Sequence, residues 1–271
     1  MSSIKDLETA GVNLSLGWAL SELGISYLLK GDIIDALEYI KKGMQLHEKN
    51  KNIAYTSWFY TFLSMALFDF GDILEAYQYA SQAVEFSKKY HEKGVEGIAQ
   101  IYLGRILAKK DTSQWRKAEA VCLQGIKNAE KMGLKPYVFR GYLVLGDLHA
   151  DIGSFDKALK SLNHAQKGFK EMGMAYYLSF SKSLIGKTLP KISPSKFFQA
   201  EQTIFDAIKI AQDIESKPAL AHGRLCLGEI CADNGQKEKA LENLKKAEAM
   251  YEDMKMGLWL GKTREILDRI A

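Results

Sequence analysis

The sequence is poor in the residues that interrupt helices or favour strands. Of its 271 residues only 4 are proline, about 1.5% of the chain, against a usual ~5%. It also has only 6 valines and 7 threonines, which are residues that strands favour. Alanine, leucine, lysine and glutamate are abundant instead. This composition argues against a strand-rich fold and predicts an all-α protein.

The sequence also has few cysteines, little net charge and no long apolar run, and each of these bears on its cellular compartment or its partners. The three cysteines, Cys122, Cys226 and Cys231, are too few for a disulfide framework and indicate a reducing environment. The net charge is only +4 and is mixed along the chain, without the basic stripe of a nucleic-acid binder. The longest apolar run, 63–68, is far shorter than a membrane helix, and the N-terminus lacks the apolar segment of a signal peptide. We therefore expect a cytoplasmic protein with neither nucleic acid nor membrane as partner.

What the sequence does contain is a repeat. Small residues that mostly follow a leucine recur every 40 to 42 positions, at Gly24, Ser64, Gly104, Gly146, Gly186 and Gly228. An alanine follows each of them after 12 or 14 positions, at Ala36, Ala76, Ala118, Ala158, Ala200 and Ala240. Small residues remove bulk where two antiparallel helices cross, so the backbones can approach closely. The pattern predicts hairpins made of a first helix (A) and a second helix (B).

The repeat predicts where the hairpins begin and end. The expected repeats are 12–50, 51–92, 93–133, 134–173, 174–215 and 216–255, followed by a capping helix over 256–271, in one array. Residues 1–11 are expected to be the end of a truncated B helix, because Gly11 precedes Gly24 by the same 13 positions that separate Gly133 from Gly146. An array that starts within a repeat suggests a segment of a longer protein.

Glycine and proline give finer boundaries. Gly133 and Gly173 have the residue type that favours a left-handed helix end, and Pro136 and Pro218 suit the first turn of an A helix. Two prolines within Leu189–Lys196 are expected to end the fifth A helix and lengthen its loop.

The units Tyr142–Phe169 and Leu225–Tyr251 resemble tetratricopeptide (TPR) repeats in their small-residue positions and turn glycine. The period departs from the usual 34 residues, and the usual aromatic signatures are weak. HEAT or armadillo arrays share the longer period but do not explain the paired small residues. The TPR resemblance implies a right-handed superhelical α-solenoid of long, roughly 40-residue hairpins. The last two units also resemble the C-terminal TPR tail of bacterial adenylate/guanylate cyclases or STAND/AAA-type ATPases, which implies a regulatory role.

The sequence contains no recognisable catalytic motif. A phosphate-binding loop, a zinc-protease motif and a paired CxxC are all missing, and these are the patterns that such chemistry requires. His222 and Cys226 are four apart and share a helix face, but a zinc site needs further ligands. We therefore expect no enzyme activity, metal or cofactor in this chain.

The A helices offer a candidate binding surface. In the TPR superfamily one stripe of these helices lines the concave groove. The stripe residues expected to bind a partner are Trp58, Met65, Arg105, Lys109, Arg140, Asp147, Lys187 and Glu229. A charged stripe is often only a solvated face, but aromatic residues beside arginines are typical of binding hot spots. Arg105 and Arg140 are expected to matter more than Lys109, because an arginine can hold a carboxylate with two hydrogen bonds.

The function predicted from these observations is a protein-interaction scaffold that binds a protein, a peptide or a neighbouring domain, within a larger signalling protein. Two alternatives stay open. The parent protein is a nucleotide cyclase or signalling ATPase whose catalytic domain lies upstream, or the array is a small-ligand sensor of a transcriptional regulator.

Overall fold

The computed structural model describes residues 13–49, 53 and 55–270, so the expected B-helix remnant at 1–11 lies outside the described residues. Within the described part of the chain there are thirteen α-helices and no strand. The six A helices are α1 (Asn13–Lys30), α3 (Thr56–Phe70), α5 (Lys93–Lys110), α7 (Lys135–Asp151), α9 (Ala175–Ile192) and α11 (Lys217–Asp233). The B helices are α2 (Ile33–Lys49), α4 (Ile73–Lys89), α6 (Trp115–Lys131), α8 (Phe155–Glu171), α10 (Phe197–Asp213) and α12 (Lys237–Asp253). The last helix is α13 (Gly257–Ile270).

The small residues lie at the helix crossings, as their spacing predicts. All six repeat alanines are fully buried. A Cβ placed on Gly104 would lie 2.8 Å from the carbonyl oxygen of Ala118, and one on Gly186 would lie 2.8 Å from that of Ala200. Real Cβ atoms do not approach backbone that closely, so these crossings require glycine. The hairpin packing inferred from the repeat is confirmed at these positions.

The helix ends agree with the sequence prediction at two glycines and differ from it at one proline. Gly133 and Gly173 have φ values of 69° and 66°, the left-handed conformation expected of them. Pro190, however, lies inside α9, which continues to Ile192. A proline has a helical φ and here removes a single backbone hydrogen bond close to the helix end, so the last turn survives. The helix ends instead at the extended Ser193, and the expected long loop is reduced to a short 3₁₀ turn over Pro194–Lys196.

The array curves until its two ends meet. The last helix, α13, packs against α3 of the second hairpin, and α11 contacts α1. Trp259 Nε1 donates a hydrogen bond to Asp69 Oδ1 at 3.1 Å, although the two residues are 190 positions apart. The A helices therefore surround an interior that α13 closes on one side. Across the described helices, none combines the length and apolar character needed to cross a membrane.

Candidate functional site

The interior of the array contains a cavity of about 100 Å³, partly open to solvent. All six A helices, Met256 and the first turn of α13 contribute to its walls. Its aromatic lining consists of Tyr102, Tyr176, Tyr177, Phe180 and Trp259, and its charged lining of Asp69, Arg105, Arg140 and Asp147. The remaining walls are mainly aliphatic, with Leu143, Val144 and Leu184 among them. A largely apolar cavity with a few convergent polar groups is the usual character of a ligand site.

Arg140, on α7, is held by tyrosines. Its guanidinium carbon lies 4.7 Å from the ring centre of Tyr137 and 4.3 Å from that of Tyr177. Nη1 donates to the hydroxyl of Tyr102 at 3.3 Å. Nε is buried and has no hydrogen-bond acceptor, and no carboxylate of the described residues lies within ion-pair distance of the side chain. Because an arginine in a protein stays protonated, the cavity contains a positive charge without a carboxylate partner in this part of the chain.

Arg105, the other arginine of the cavity, has a partner. Its guanidinium carbon lies 4.4 Å from the ring centre of Phe68, and Nη2 lies 3.9 Å from Asp69 Oδ1. Burial raises the pKa of Asp69, against the opposing effects of Arg105 and of the Trp259 hydrogen bond. Arg105 and Asp69 therefore form a loose pair that also fixes the position of α13.

Next to the cavity, lysines and carboxylates of successive A helices form what we call the ion-pair ladder. Lys109 pairs with Asp147 (3.5 Å) and also with Asp151. Lys187 pairs with Glu229 at 3.3 Å. Further along the array, Lys191 pairs with Asp233 at 2.6 Å.

In this ladder, neighbouring opposite charges outweigh burial in setting the pKa of Lys109 and that of Asp147. Burial would lower the pKa of Lys109, but Asp147 and Asp151 raise it above the usual value. Burial would likewise raise the pKa of Asp147, but Lys109 and other nearby cations hold it below its usual range. Lys109 is therefore protonated, and it is already paired with carboxylates of this chain. Lys109 and Lys187 are thus paired within the chain, and their binding of a partner stays a prediction.

The structure divides the predicted site residues into three groups. Met65, Arg105, Arg140 and Asp147 line the cavity together. Lys109, Lys187 and Glu229 belong to the ion-pair ladder, and the last two also line a depression beside the cavity, together with Lys191 and Lys262. Trp58 packs with Trp18, Phe62 and Tyr137 at ring-centre distances of 5.9, 5.5 and 6.2 Å, outside the cavity wall. Whether these residues bind a partner stays a prediction.

Several cavity residues are missing from the sequence prediction. Tyr102, Tyr176 and Tyr177 are not among the predicted stripe residues, and Met256 and Trp259 belong to the end of the chain. The tyrosine pair that opens α9 is the signal that could have identified the aromatic wall. Nothing local to Trp259 indicates that it reaches Asp69.

His222, on α11, is a wall residue of the cavity. Its ring stacks on Phe180 with 4.6 Å between centres and lies edge-on to Trp259 at 5.2 Å. Cys226 Sγ is 3.8 Å from its Nε2. Burial lowers the pKa of His222 to about 3, so the imidazole is neutral at physiological pH. In the described residues no three histidine, cysteine or acidic side chains are grouped as metal ligands.

Comparisons with known proteins give relatives of the fold. No family model and no curated protein matches the chain. A solved Rap protein complexed with competence and sporulation factor is 14% identical, with a TM-score of 0.70 over 98% of this chain and 79% of that chain. The Rap conjugation gene regulator of plasmid pLS20, solved with the Phr* peptide, is 15% identical, with a TM-score of 0.62 over 97% of this chain and 77% of that chain.

A third solved structure concerns the resemblance to TPR repeats that the sequence predicts. It is a signal transduction ATPase with numerous domains (STAND) from Pyrococcus horikoshii, which has a tetratricopeptide repeat sensor. It is 19% identical to this chain, with a TM-score of 0.55, and the match covers 95% of this chain but only 38% of that one. At these identities the similarity defines the fold alone. The chain is an all-α solenoid, and its resemblance to the TPR superfamily is confirmed at the level of the fold.

Proposed function

We propose that the chain is a non-catalytic interaction module whose interior cavity binds a short peptide or an exposed segment of a partner protein. The observation that carries the proposal is the cavity itself, which combines aromatic walls with an arginine that no carboxylate of the described residues neutralises. Tyrosine, tryptophan and arginine are the residues that dominate binding energy at protein interfaces. The two Rap structures, which were solved with a peptide or factor bound, support the same kind of ligand.

The size of the cavity limits what enters it. An engineered cavity of ~150 Å³ binds benzene, so about 100 Å³ accommodates one side chain or one chain end. The rest of a peptide would lie along the groove formed by the A helices. We therefore infer an anchor-and-groove arrangement, in which the cavity provides specificity and the groove adds contact area.

The wider setting is also a proposal. We infer that the chain is the regulatory part of a larger cytoplasmic signalling protein, which the TPR sensor of the STAND neighbour supports. The alternative is that the parent protein is a nucleotide cyclase or signalling ATPase whose catalytic domain lies upstream. The coding sequence upstream of Met1 distinguishes this alternative from the first proposal. A small-ligand sensor is the remaining alternative, and it predicts binding of metabolites without binding of peptides.

The test is affinity selection of a pentapeptide library on the full chain, with bound peptides identified by mass spectrometry. Leu143→Trp fills the cavity and should abolish retention. Leu123→Trp makes the same change on the outer surface, where Leu123 is 48% exposed, and should leave retention unchanged. Circular dichroism checks that both variants fold. If neither the unmodified chain nor the control retains any peptide, the proposed function is wrong.

A charge-reversal test of the groove is less suitable. Arg105→Glu with Arg140→Glu would leave stability unchanged only if both side chains were solvated. In the structure, however, Arg105 packs between Phe68 and Asp69, and a glutamate there would face a buried carboxylate. The double reversal would therefore destabilise the protein and confuse lost binding with lost folding.

A further inference from the structure

The positive charge of Arg140 is in excess within the cavity. Of the four charged residues in the wall, Asp69 faces Arg105 and Asp147 faces Lys109. Arg140 then remains, with tyrosine rings on two sides and a phenol oxygen at Nη1. A wall with one unmatched positive charge complements a ligand with one negative charge.

The tyrosines do not provide that negative charge. Burial raises the pKa of Tyr137 to about 12 and also raises the pKa of Tyr177. Both phenols are therefore neutral, and their rings lie against the guanidinium at cation–π distance. These contacts position the arginine, whose Nη1 donates to the hydroxyl of Tyr102.

One of the guanidinium donors lacks an acceptor among the described residues. Nε–H is buried without an acceptor, which is an unfavourable state for a charged group. A guanidinium can donate two parallel hydrogen bonds to the two oxygens of a carboxylate. The aliphatic walls formed by Leu143, Val144 and Leu184 provide a place for a hydrocarbon group attached to that carboxylate.

We propose that Arg140 is the binding residue for a carboxylate, and that the natural ligand presents a single carboxylate joined directly to a small apolar group. A free C-terminus of a peptide that ends in an aliphatic residue has this chemistry, as has an acidic side chain or a branched short-chain acid. The proposal that this carboxylate belongs to a peptide rests on the proposed function, whereas the proposal of a carboxylate site at Arg140 does not. The ladder lysines are not part of the site, because their charges are already matched.

The first experiment tests the site without a peptide. The full chain is titrated with 3-methylbutanoate and, separately, with the isosteric neutral 3-methylbutanamide at constant ionic strength, while NMR follows the backbone amides and the arginine Nε–Hε signals. The acid should bind at least about tenfold more tightly than the amide and should shift the Nε–Hε signal of Arg140. Equal binding of the two compounds, or no binding of either, overturns the proposal.

Variants assign the preference to the guanidinium. Arg140→Gln should reduce the acid-to-amide ratio to about one, and Arg140→Lys, which keeps the charge but lacks the planar pair of donors, should retain only part of it. Arg116→Gln is the matched control, because Arg116 also lies over an aromatic ring, 5.1 Å from the ring centre of Trp115, but on an exposed part of α6. A preference for the acid that survives in Arg140→Gln overturns the assignment. Since the comparison in the unmodified chain needs no variant, misfolding of a variant does not remove the test.

The second experiment identifies the source of the carboxylate. The pentapeptide selection is repeated with one library that has free C-termini and one whose C-termini are amidated. Retention of the free library alone supports a C-terminal carboxylate, and retention of peptides with aspartate or glutamate from both libraries supports an acidic side chain. If 3-methylbutanoate binds through Arg140 and neither library is retained, the carboxylate site stands and the proposed peptide function fails.

Discussion

The cavity and the ion-pair ladder lie side by side on the same A helices, yet they use their charges differently. In the ladder, the stripe residues of neighbouring helices are opposite in sign, so Lys109 meets Asp151 and Lys191 meets Asp233, each pair 42 positions apart. In the cavity, Arg140 is surrounded by tyrosines and meets no carboxylate of the described residues. A charge on the concave surface is therefore available to a ligand only where the next repeat does not neutralise it.

Lys187→Met is the variant expected to break the ladder most strongly. Lys187 and Glu229 are 12% and 15% exposed, so the change leaves a nearly buried carboxylate without its partner. Breaking a buried pair in this way costs about 3–5 kcal/mol, and we expect roughly the lower value because some solvent reaches both groups. Urea denaturation measures the loss.

Two further variants make this result specific. Adding Glu229→Gln to Lys187→Met should restore most of the stability, because no charge is then left unpaired. Lys246→Met interrupts an exposed pair with Glu242 and should cost less than about 0.5 kcal/mol. Equal losses for Lys187→Met and Lys246→Met would show that the ladder is solvated and that its contrast with the cavity is false.

Gly146→Leu tests both regions at once, because α7 carries Arg140 of the cavity and Asp147 of the ladder. A Cβ at position 146 would lie 2.5 Å from Leu162 Cγ, and overpacking of this kind costs about 1–3 kcal/mol. Hydrogen exchange should show the greatest loss of protection in α7 and α8. Gly261→Leu adds the same side chain where nothing lies within 4 Å of a Cβ and should not destabilise; a similar loss there would contradict the packing argument.

His222→Gln tests whether the buried histidine of the cavity wall makes the stability of the protein depend on pH. Burial lowers the pKa of His222 from 6.5 to about 3, so below pH 6.5 the unfolded chain binds a proton that the folded chain does not. Stability should therefore fall on acidification from pH 6.5 towards pH 3, by up to about 1.4 kcal/mol per pH unit from this residue. The variant should flatten the decline in that window, as measured by denaturation at several pH values. His164→Gln, at an exposed position, should leave the slope unchanged.

Asp69→Asn is expected to have the smallest effect and separates the loose cavity pair from the ladder. Asparagine keeps an oxygen that can accept the hydrogen bond from Trp259, and Arg105 lies 3.9 Å away. Since burial already raises the pKa of Asp69, removing its charge should cost less than about 1 kcal/mol. Glu229→Gln in the ladder should cost more. The reverse order in thermal or urea denaturation would invert the comparison.

The sequence predicts the helices better than the site, for a physical reason. Hairpin packing depends on residues 12 or 14 positions apart, such as Gly104 and Ala118, so the periodic pattern contains it. The cavity depends on Trp259 meeting Asp69 across 190 positions, which follows from the curvature accumulated over all the hairpins. The division into repeats stays a prediction beyond the helix bounds.

The ion-pair ladder is less predictable from the sequence than the helices and more predictable than the cavity. Its 42-residue pairs can be found in the sequence once the repeat is known, but the same residues also fit a basic surface that tracks an acidic segment. Only the register of neighbouring helices decides that Lys109 meets Asp147 and Asp151 rather than solvent. The tyrosine cage of Arg140 needs three residues from three A helices, and no single spacing predicts it.

The contact between Trp259 and Asp69 also changes how the array holds together as a whole. In an open solenoid each repeat depends on its neighbours, and unfolding can begin at either end and spread inward. Here the last helix rests on the second hairpin, so an end cannot fray without losing contacts at a distant point in the sequence. The loop closed by that contact is long, and its formation has a high entropic cost. We therefore expect a chain that folds more slowly than an open array of equal length and unfolds as one unit. Removal of α13 should loosen the second hairpin as well as the neighbouring α12.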